Sequence, residues 1–300
     1  MSGGSGPAPA QRPLRRVAVV GAQSQIGRFL LPRLRAEGLI CSAIGRTAAA
    51  DGPPVHVFDA ARGGFTPPLA GADAIISLAP LPEIERVLEM ARCLGAWRVI
   101  AFGSTGRFTK IDSTSPLEQD FVAQQCAAER RLTELAREAG IVWTLIRPTL
   151  IYGAGMDQTV AFIAAILRRV GAFPVVAGAH GLRQPVHADD LAAACVAALP
   201  CAAAFDQAYN LGGGERLPYP EMVRRIAASL GRRVWICPVP AVLFRGAVEV
   251  ARRLPRYRFM RQEMVERMFV DLTVDHSAAE RDFGYRPRAF TPGNVSPGSR

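Results

Sequence analysis

Gly21 and Gly27 bracket the short run Ala22-Gln23-Ser24-Gln25-Ile26, directly after the apolar Val17-Ala18-Val19-Val20 and directly before Arg28-Phe29-Leu30-Leu31. A buried strand that enters a tight glycine turn and leaves as a helix aims backbone amides at one point. That point is a site for a pyrophosphate. Gly21 permits the turn, and Gly27 permits close packing of the helix on the strand. Ser24 replaces the middle glycine of the pattern, whose missing side chain lets the backbone approach a phosphate. Its hydroxyl is small and can itself donate to a phosphate. An NAD site carries Asp or Glu about 20 residues beyond this turn, to hold the ribose hydroxyls. Here that place reads Gly45-Arg46-Thr47. Without an acid, and with Arg46 suited to a 2′-phosphate, it predicts NADP over NAD; the competing reading is a solvated arginine in an arginine-rich chain. Asp59 ends a later apolar run and either faces the adenine edge or caps a turn.

These residues need a sheet to hold them. Apolar runs at Leu39–Gly45, Val55–Asp59, Ala74–Ala79, Arg98–Phe102 and Trp143–Arg147 alternate with helical patterns such as Pro82–Leu94 and Pro116–Gly140. Strands alternating with helices predict an α/β fold, a Rossmann-type doubly wound parallel sheet with right-handed crossovers. After Pro148 the rhythm changes. The sequence predicts a helix over Gln158–Val170 capped by Asp157, a turn-rich Gly171–Leu182, and an extended Gln184–His187. Beyond them it predicts a helix from Asp189 to Leu199, a strand Gln207–Leu211, a helix Tyr219–Leu230, an extended Val234–Val239, and helices over Ala241–Leu254 and Phe259–Phe269. The domains expected are a tail over 1–13, a dinucleotide-binding domain over 14–150, and a smaller, discontinuous C-terminal substrate domain over 151–294. Segments around 184–199 and 207–213 return to the sheet, and 295–300 is a loose tail. Substrate is expected in the cleft between the two parts.

Composition narrows the function classes. The chain has 300 residues, 49% hydrophobic and 21% charged, with a net charge of +10. Lys110 is its sole lysine, so the positive charge is arginine. That bias reflects either codon usage or attraction to anions. No arginine run is interleaved with aromatics, which argues against nucleic acid as a partner. The six cysteines are scattered without a Cys-x-x-Cys pair; they read as reduced, small apolar residues of a cytoplasmic protein. No metal spacing is evident. Asp189-Asp190 reads as first-turn helix charge. No apolar run is long enough to span a membrane. The arginines from Arg245 to Arg267 form either a solvated helix face or a contact with an anionic membrane surface.

Five pieces in order carry a family resemblance: the turn Gly21–Gly27; Ala101-Phe102-Gly103-Ser104-Thr105; Leu145-Ile146-Arg147-Pro148-Thr149-Leu150-Ile151-Tyr152-Gly153; Arg183-Gln184-Pro185-Val186-His187-Ala188-Asp189-Asp190-Leu191-Ala192; and Tyr209-Asn210-Leu211-Gly212-Gly213. With these the chain resembles the extended short-chain dehydrogenase/reductases, in particular the NAD-dependent epimerase/dehydratase group, from Arg16 to about Phe290. The resemblance implies an oxidoreductase or epimerase acting on a small molecule such as a nucleotide sugar. It implies dimers paired through the helix Pro116–Gly140. The residues expected around the cofactor are Gly21, Gln23, Ser24, Gln25, Ile26, Gly27, Arg46, Asp59, Ala79, Gln125 and Pro148.

The same resemblance marks a departure. The family's Tyr-x-x-x-Lys lies four residues ahead of a glutamate on the helix after the fifth strand. Counting back from Glu129 places Gln125 at the lysine position and Phe121 at the tyrosine position. No Tyr-x-x-x-Lys occurs anywhere in the chain. The tyrosine is the family's general acid/base, and phenylalanine has no proton to give. The candidates to move a proton are Ser104, Thr105, Tyr152 and His187. His187 and Arg183 are the candidates to meet substrate, Arg183 with the alternative of bracing Asp189-Asp190. An accessory, nucleotide-binding protein without turnover is the rival reading.

Overall fold

The structure, a computed structural model, describes residues 12–45, 55–59, 61, 64–157, 159–231, 234–253 and 263–293. Arg46, both tails and the start of the expected helix at Phe259 lie outside the described residues. In chain order the elements are β1 (Arg16–Val20), α1 (Gly27–Ala36), β2 (Ile40–Gly45), β3 (Val55–Asp59), β4 (Gly64–Thr66), β5 (Ala74–Ser77), α2 (Ile84–Leu94), β6 (Arg98–Phe102), α3 (Gly106–Thr109), α4 (Pro116–Ala139) and β7 (Val142–Pro148). Then follow β8 (Ile151–Tyr152), α5 (Val160–Val170), β9 (Ala172–Val176), β10 (Leu182–Arg183), β11 (Val186–His187), α6 (Ala188–Ala198), β12 (Gln207–Leu211), β13 (Leu217–Pro218), α7 (Tyr219–Ser229), β14 (Trp235–Val239), α8 (Ala241–Ala251), α9 (Glu263–Arg267) and α10 (Ser277–Phe283).

The chain forms two units. Unit 1 takes residues up to Pro148, then Ala188–Leu211 and His276–Arg286. Its sheet runs β12-β7-β6-β5-β1-β2-β3-β4, parallel throughout except for the antiparallel β3–β4 edge. Strands buried on both faces form nearly continuous apolar runs. Val17, Ala18, Val19 and Val20 are all buried, as are Ala74, Ile75, Ile76 and Ser77. Ala18, Val20, Ile75, Val99 and Leu145 pack with α2 and α4. Val17 and Val19 alternate with them and turn the other way, while α1 and α6 pack against each other. Arg33 of α1 donates from Nε to Asp189 Oδ1 at 2.6 Å, so the first-turn aspartate of α6 joins the two helices. α4 ends as expected at Gly140, left-handed at φ 65°.

Unit 2 comprises Thr149–His187, Gly212–Asp275 and Pro287 onward. Its strands pair as β8–β11 and β9–β14 in parallel and β10–β13 antiparallel. Val160, Ile163, Leu167, Phe173, Met222, Val223 and Ile226 form its core. Asp157 caps α5 as expected, its Oδ1 accepting from Ala161 N at 2.9 Å. Three expectations need correction. Gly171–Leu182, read as turn-rich, contains β9; Phe173, Val175 and Val176 are buried, and Pro174 is tolerated because a two-stranded ladder is all edge. The extended 184–187 piece and Gly212-Gly213 belong to unit 2, whereas 276–286, not foreseen, belongs to unit 1. Within the described residues, the expected Phe259–Phe269 helix is Glu263–Arg267. All six cysteines are free thiols, and Cys93 and Cys237 are exposed rather than buried.

Candidate functional site

β1 ends at Val20 and the chain turns through Gly21 at φ +74°, a left-handed value that glycine adopts without strain. Gly21 N donates to Ile44 O at 3.0 Å, which fixes the turn against β2. At Gly27 a Cβ would collide with the Ala22 carbonyl oxygen and lie 2.6 Å from its carbon. Ser24 Oγ accepts from Gly27 N at 3.2 Å. The serine therefore takes one N-terminal amide of α1 and keeps its own proton to donate. The backbone amides of Ala22, Gln23, Gln25 and Ile26 make no hydrogen bond among the described residues. These donors gather at the positive end of α1. Gln25 Oε1 is buried in the same turn without a partner.

Beside the turn lies a cavity of about 370 Å³, within the size range of small-molecule sites. Its walls are Gly21–Ser24, Ile44 and Gly45 at the end of β2, Val55 and Phe58 on β3, Leu78-Ala79-Pro80 after β5, and Glu83, Arg86 and Met90. The strand order reverses between β1 and β5, and open α/β sheets bind ligands at that switch. Ala79, expected near the cofactor, is a wall residue. Asp59 is not; its Oδ1 accepts from Ala61 N at 3.0 Å, which is its turn-capping alternative. Arg46 directly follows the wall residue Gly45. Arg86 was not anticipated from the sequence. Its Nη2 donates to Phe58 O at 3.0 Å and its guanidinium lies 5.8 Å from the Phe58 ring. The two residues stand 28 apart, and no local pattern joins them.

A second cluster in unit 1 surrounds the end of β6 and the first turns of α4. Ser104 Oγ accepts from Gly106 N at 3.0 Å. Thr105 Oγ1 donates to Pro148 O at 3.0 Å, and Thr105 N donates to the same oxygen at 3.2 Å. Thr105 and Pro148 thus fasten the loop after β6 to the end of β7. Phe121, Gln125 and Glu129 recur every four residues on α4. Gln125 is buried and its Oε1 has no partner. A buried amide oxygen without a donor is costly and asks for a ligand. Glu129 receives Arg147 through two bonds, Nε to Oε1 at 2.8 Å and Nη2 to Oε2 at 2.7 Å, and also pairs with Arg107. Burial pulls the Arg147 guanidinium below its ordinary value. Lys110 Nζ lies 4.5 Å from the Phe121 ring centroid and 3.4 Å from Glu118 Oε1. Lys110 and the Arg107–Glu129–Arg147 cluster were not singled out as site residues from sequence. The solitary lysine was the available signal.

The remaining candidates belong to unit 2. Tyr152 is buried, its hydroxyl oxygen accepting from Thr291 N at 3.2 Å. Its ring meets His187 edge-on at 5.0 Å and Phe290 at 4.9 Å. Gly153 makes room for the imidazole: at φ +112°, its Cβ would stand 2.8 Å from His187 Nε2. Arg183 departs from both roles considered for it. Its Nη1 donates to Leu182 O at 2.8 Å and Val270 O at 3.0 Å, and its Nη2 to Arg267 O at 2.6 Å. Buried over Tyr219 and lowered by desolvation to about 10, it holds the chain after α9 instead of presenting a fork to a ligand. Among the described residues no group of His, Cys, Asp and Glu is arranged to hold a metal ion, and no helix is long and apolar enough to cross a membrane.

Residues 84–212 match the model of the NAD dependent epimerase/dehydratase family. That segment contains Ser104, Phe121, Gln125 and His187 and begins after the glycine turn. The UDP-glucose 4-epimerase of Vibrio cholerae is 26% identical over 180 residues, 60% of this chain and 52% of that enzyme. The 2-alkyl-3-oxoalkanoate reductase of Stenotrophomonas maltophilia is 30% identical over 191 residues, 58% of this chain and 56% of the reductase. The chain thus spans about half the length of these two relatives. An epimerase from Methanothermobacter thermautotrophicus shares the fold, with a TM-score of 0.68 at 14% identity over 96% of this chain and 91% of that one.

Proposed function

We propose, for a chain that carries a domain of the NAD dependent epimerase/dehydratase family, that unit 1 binds NADP in preference to NAD. We propose further that the protein is an oxidoreductase or epimerase of a small molecule with a carbonyl or secondary alcohol, a nucleotide sugar among the candidates. The observation that carries this reading is the cavity at the strand-order reversal, lined by Ala22 and Gln23, whose backbone amides are unengaged. The residues fit a dinucleotide. Ile44, Val55 and Phe58 offer an apolar wall to an adenine ring. The amides of Ala22, Gln23, Gln25 and Ile26 donate to the pyrophosphate. Arg46, next to Gly45, pairs with a 2′-phosphate. Gln125, with its orphaned amide oxygen, accepts from a ribose hydroxyl.

The bound nicotinamide supplies or accepts a hydride. The chain must then orient the reacting carbon and move a proton at its oxygen. Ser104 has its proton to donate, because its oxygen already accepts from Gly106 N. Thr105 spends its hydroxyl on Pro148 O. The relative named as a reductase of 2-alkyl-3-oxoalkanoates supports a carbonyl substrate, and the relative named as a UDP-glucose epimerase supports a nucleotide sugar.

A second reading, nucleotide binding without turnover, is favoured by one feature: Phe121 and Gln125 occupy the positions at which the family carries its acid/base pair. Titration of NADPH and NADH by cofactor fluorescence, followed by NADPH oxidation against ketones and aldehydes and a separate assay for nucleotide-sugar interconversion, tests both. Tight NADPH binding with turnover is expected. Tight binding with silence in every assay favours the accessory reading, and no binding of either nucleotide refutes both.

A further inference from the structure

We propose that Lys110 is the proton donor to a substrate carbonyl oxygen, standing over Phe121 where the chain lacks a phenol; this rests on the reading of unit 1 as a dinucleotide-dependent oxidoreductase. Lys110 closes α3 as its C-cap. A lysine side chain is a flexible stem with a mobile charge, yet here two contacts hold it: the Phe121 ring at 4.5 Å and Glu118 Oε1 at 3.4 Å. The ring face and the carboxylate both attract positive charge. Gly106 draws the parts together. A Cβ there would lie 3.0 Å from Phe121 Cε1 and 3.1 Å from Ser104 Oγ. The ammonium, the ring and the serine hydroxyl therefore surround one turn, and the unpartnered Gln125 follows one helical turn after Phe121.

Primary ammonium groups and phenols release protons in the same range, near pH 10, so a lysine in place of a tyrosine preserves the proton step. In the reduction, a C–H bond forms at the carbonyl carbon with the hydride of a reduced nicotinamide dinucleotide, which leaves oxidised. The carbonyl π pair moves onto oxygen. That oxygen takes a proton from Lys110 as an N–H bond breaks, the bonding pair stays on nitrogen, and the neutral amine recovers a proton from water. Ser104 donates a hydrogen bond to the same oxygen. An ammonium gives a proton readily but must lose one before it can act as a base. The arrangement therefore favours reduction of a ketone or aldehyde over epimerisation, which begins by taking a proton from a hydroxyl.

The sole lysine makes the test direct. The full chain is pulsed with acetic anhydride with and without saturating NADPH, and modification of Lys110 and of the α-amine is read by mass spectrometry. Bound NADPH should slow modification of Lys110 at least tenfold and leave the α-amine unchanged. Lys110→Arg keeps a cation but cannot donate at neutral pH. It should bind NADPH within about threefold of the parent and transfer hydride to a panel of ketones and aldehydes at least 10²-fold more slowly, in the range of a lost general acid. Lys110→Met should be as slow. Unchanged labelling with NADPH bound, rescue of hydride transfer by arginine, or NADPH binding with no carbonyl reduced by the parent overturns the assignment. A parent that binds no NADPH fails earlier, in the titration, and refutes the underlying reading instead.

Discussion

The Ser24 side chain shapes the glycine turn through one hydrogen bond. Its Oγ accepts from Gly27 N, an amide that α1 would otherwise offer to an anion. Ser24→Gly frees that amide and removes the Cβ, so NADPH should bind several-fold more tightly, of the order of one hydrogen bond, about 1 kcal/mol. Weaker binding in a fluorescence titration would show that the hydroxyl is itself a phosphate ligand. The proposed contact of Arg46 with a 2′-phosphate concerns the other end of the adenosine. Arg46→Ala should weaken NADPH at least tenfold more than NADH, a difference of about 1.4 kcal/mol; equal losses would refute a 2′-phosphate contact. Both residues were visible in the sequence because the glycine turn sets a register and the ribose position is counted from it. Arg86 was not, because it reaches the cavity from α2 by way of the Phe58 carbonyl. Arg183 was visible and misread. Its place in the family resemblance suggested a substrate grip, while the carbonyls that claim it come from Arg267 and Val270, more than eighty residues away.

At the scale of elements, α4 carries its chemistry on one four-residue repeat. Phe121 stands near Lys110, Gln125 is buried, and Glu129 anchors Arg107 and Arg147. Phe121→Tyr with Gln125→Lys puts on that face the pair that the proposed family register expects there. It should tighten NADPH and raise or create carbonyl reduction by at least tenfold; no change in either would mean that this face does not meet the cofactor. The sheet has its own fastening in Arg98, a wholly buried residue of β6. Arg98 donates to Leu199 O at 3.2 Å, Ala198 O at 3.0 Å and Thr144 Oγ1 at 2.5 Å, and lies 4.8 Å from the Phe205 ring. Desolvation lowers it to about 10, and its guanidinium helps to satisfy the carbonyls at the end of α6, where Ala198 O also accepts from Cys201 N at 3.3 Å. Arg98→Ala should destabilise unit 1 by about 3–5 kcal/mol, the scale of a broken buried polar network; a urea midpoint within error of the parent would disprove it. The central strands of unit 1 were legible because both faces are buried and their residues form nearly continuous apolar runs. β9 was hidden because Pro174 and the flanking glycines carry turn signals, and its pairing with β14 is a long-range event that no local window contains.

At the scale of the molecule, two units with separate cores need not unfold together, and ligand binding should stabilise them unequally. The chain's discontinuity explains why the sequence placed the boundary near 150 but assigned the later segments imperfectly. Ala188–Leu211 declares itself by adding β12 to a parallel sheet, whereas 276–286 returns as α10, where the Tyr209 hydroxyl donates to Asp282 Oδ2 at 2.7 Å. Every wall residue of the cavity belongs to unit 1. A nucleotide at 100 times its dissociation constant contributes about 2.7 kcal/mol to the state that binds it, a roughly hundredfold fall in the opening of any segment that must unfold to release it. Saturating NADPH should therefore slow amide hydrogen exchange in the segments around Gly21–Gly27, Ile44–Gly45, Phe58 and Leu78–Arg86. The core of unit 2, α5 and α7, should exchange at nearly its unliganded rate. Protection confined to unit 2, or spread evenly over both, would remove the cavity of unit 1 as the nucleotide site. The four unengaged amides at the head of α1 would then need another anion to explain them.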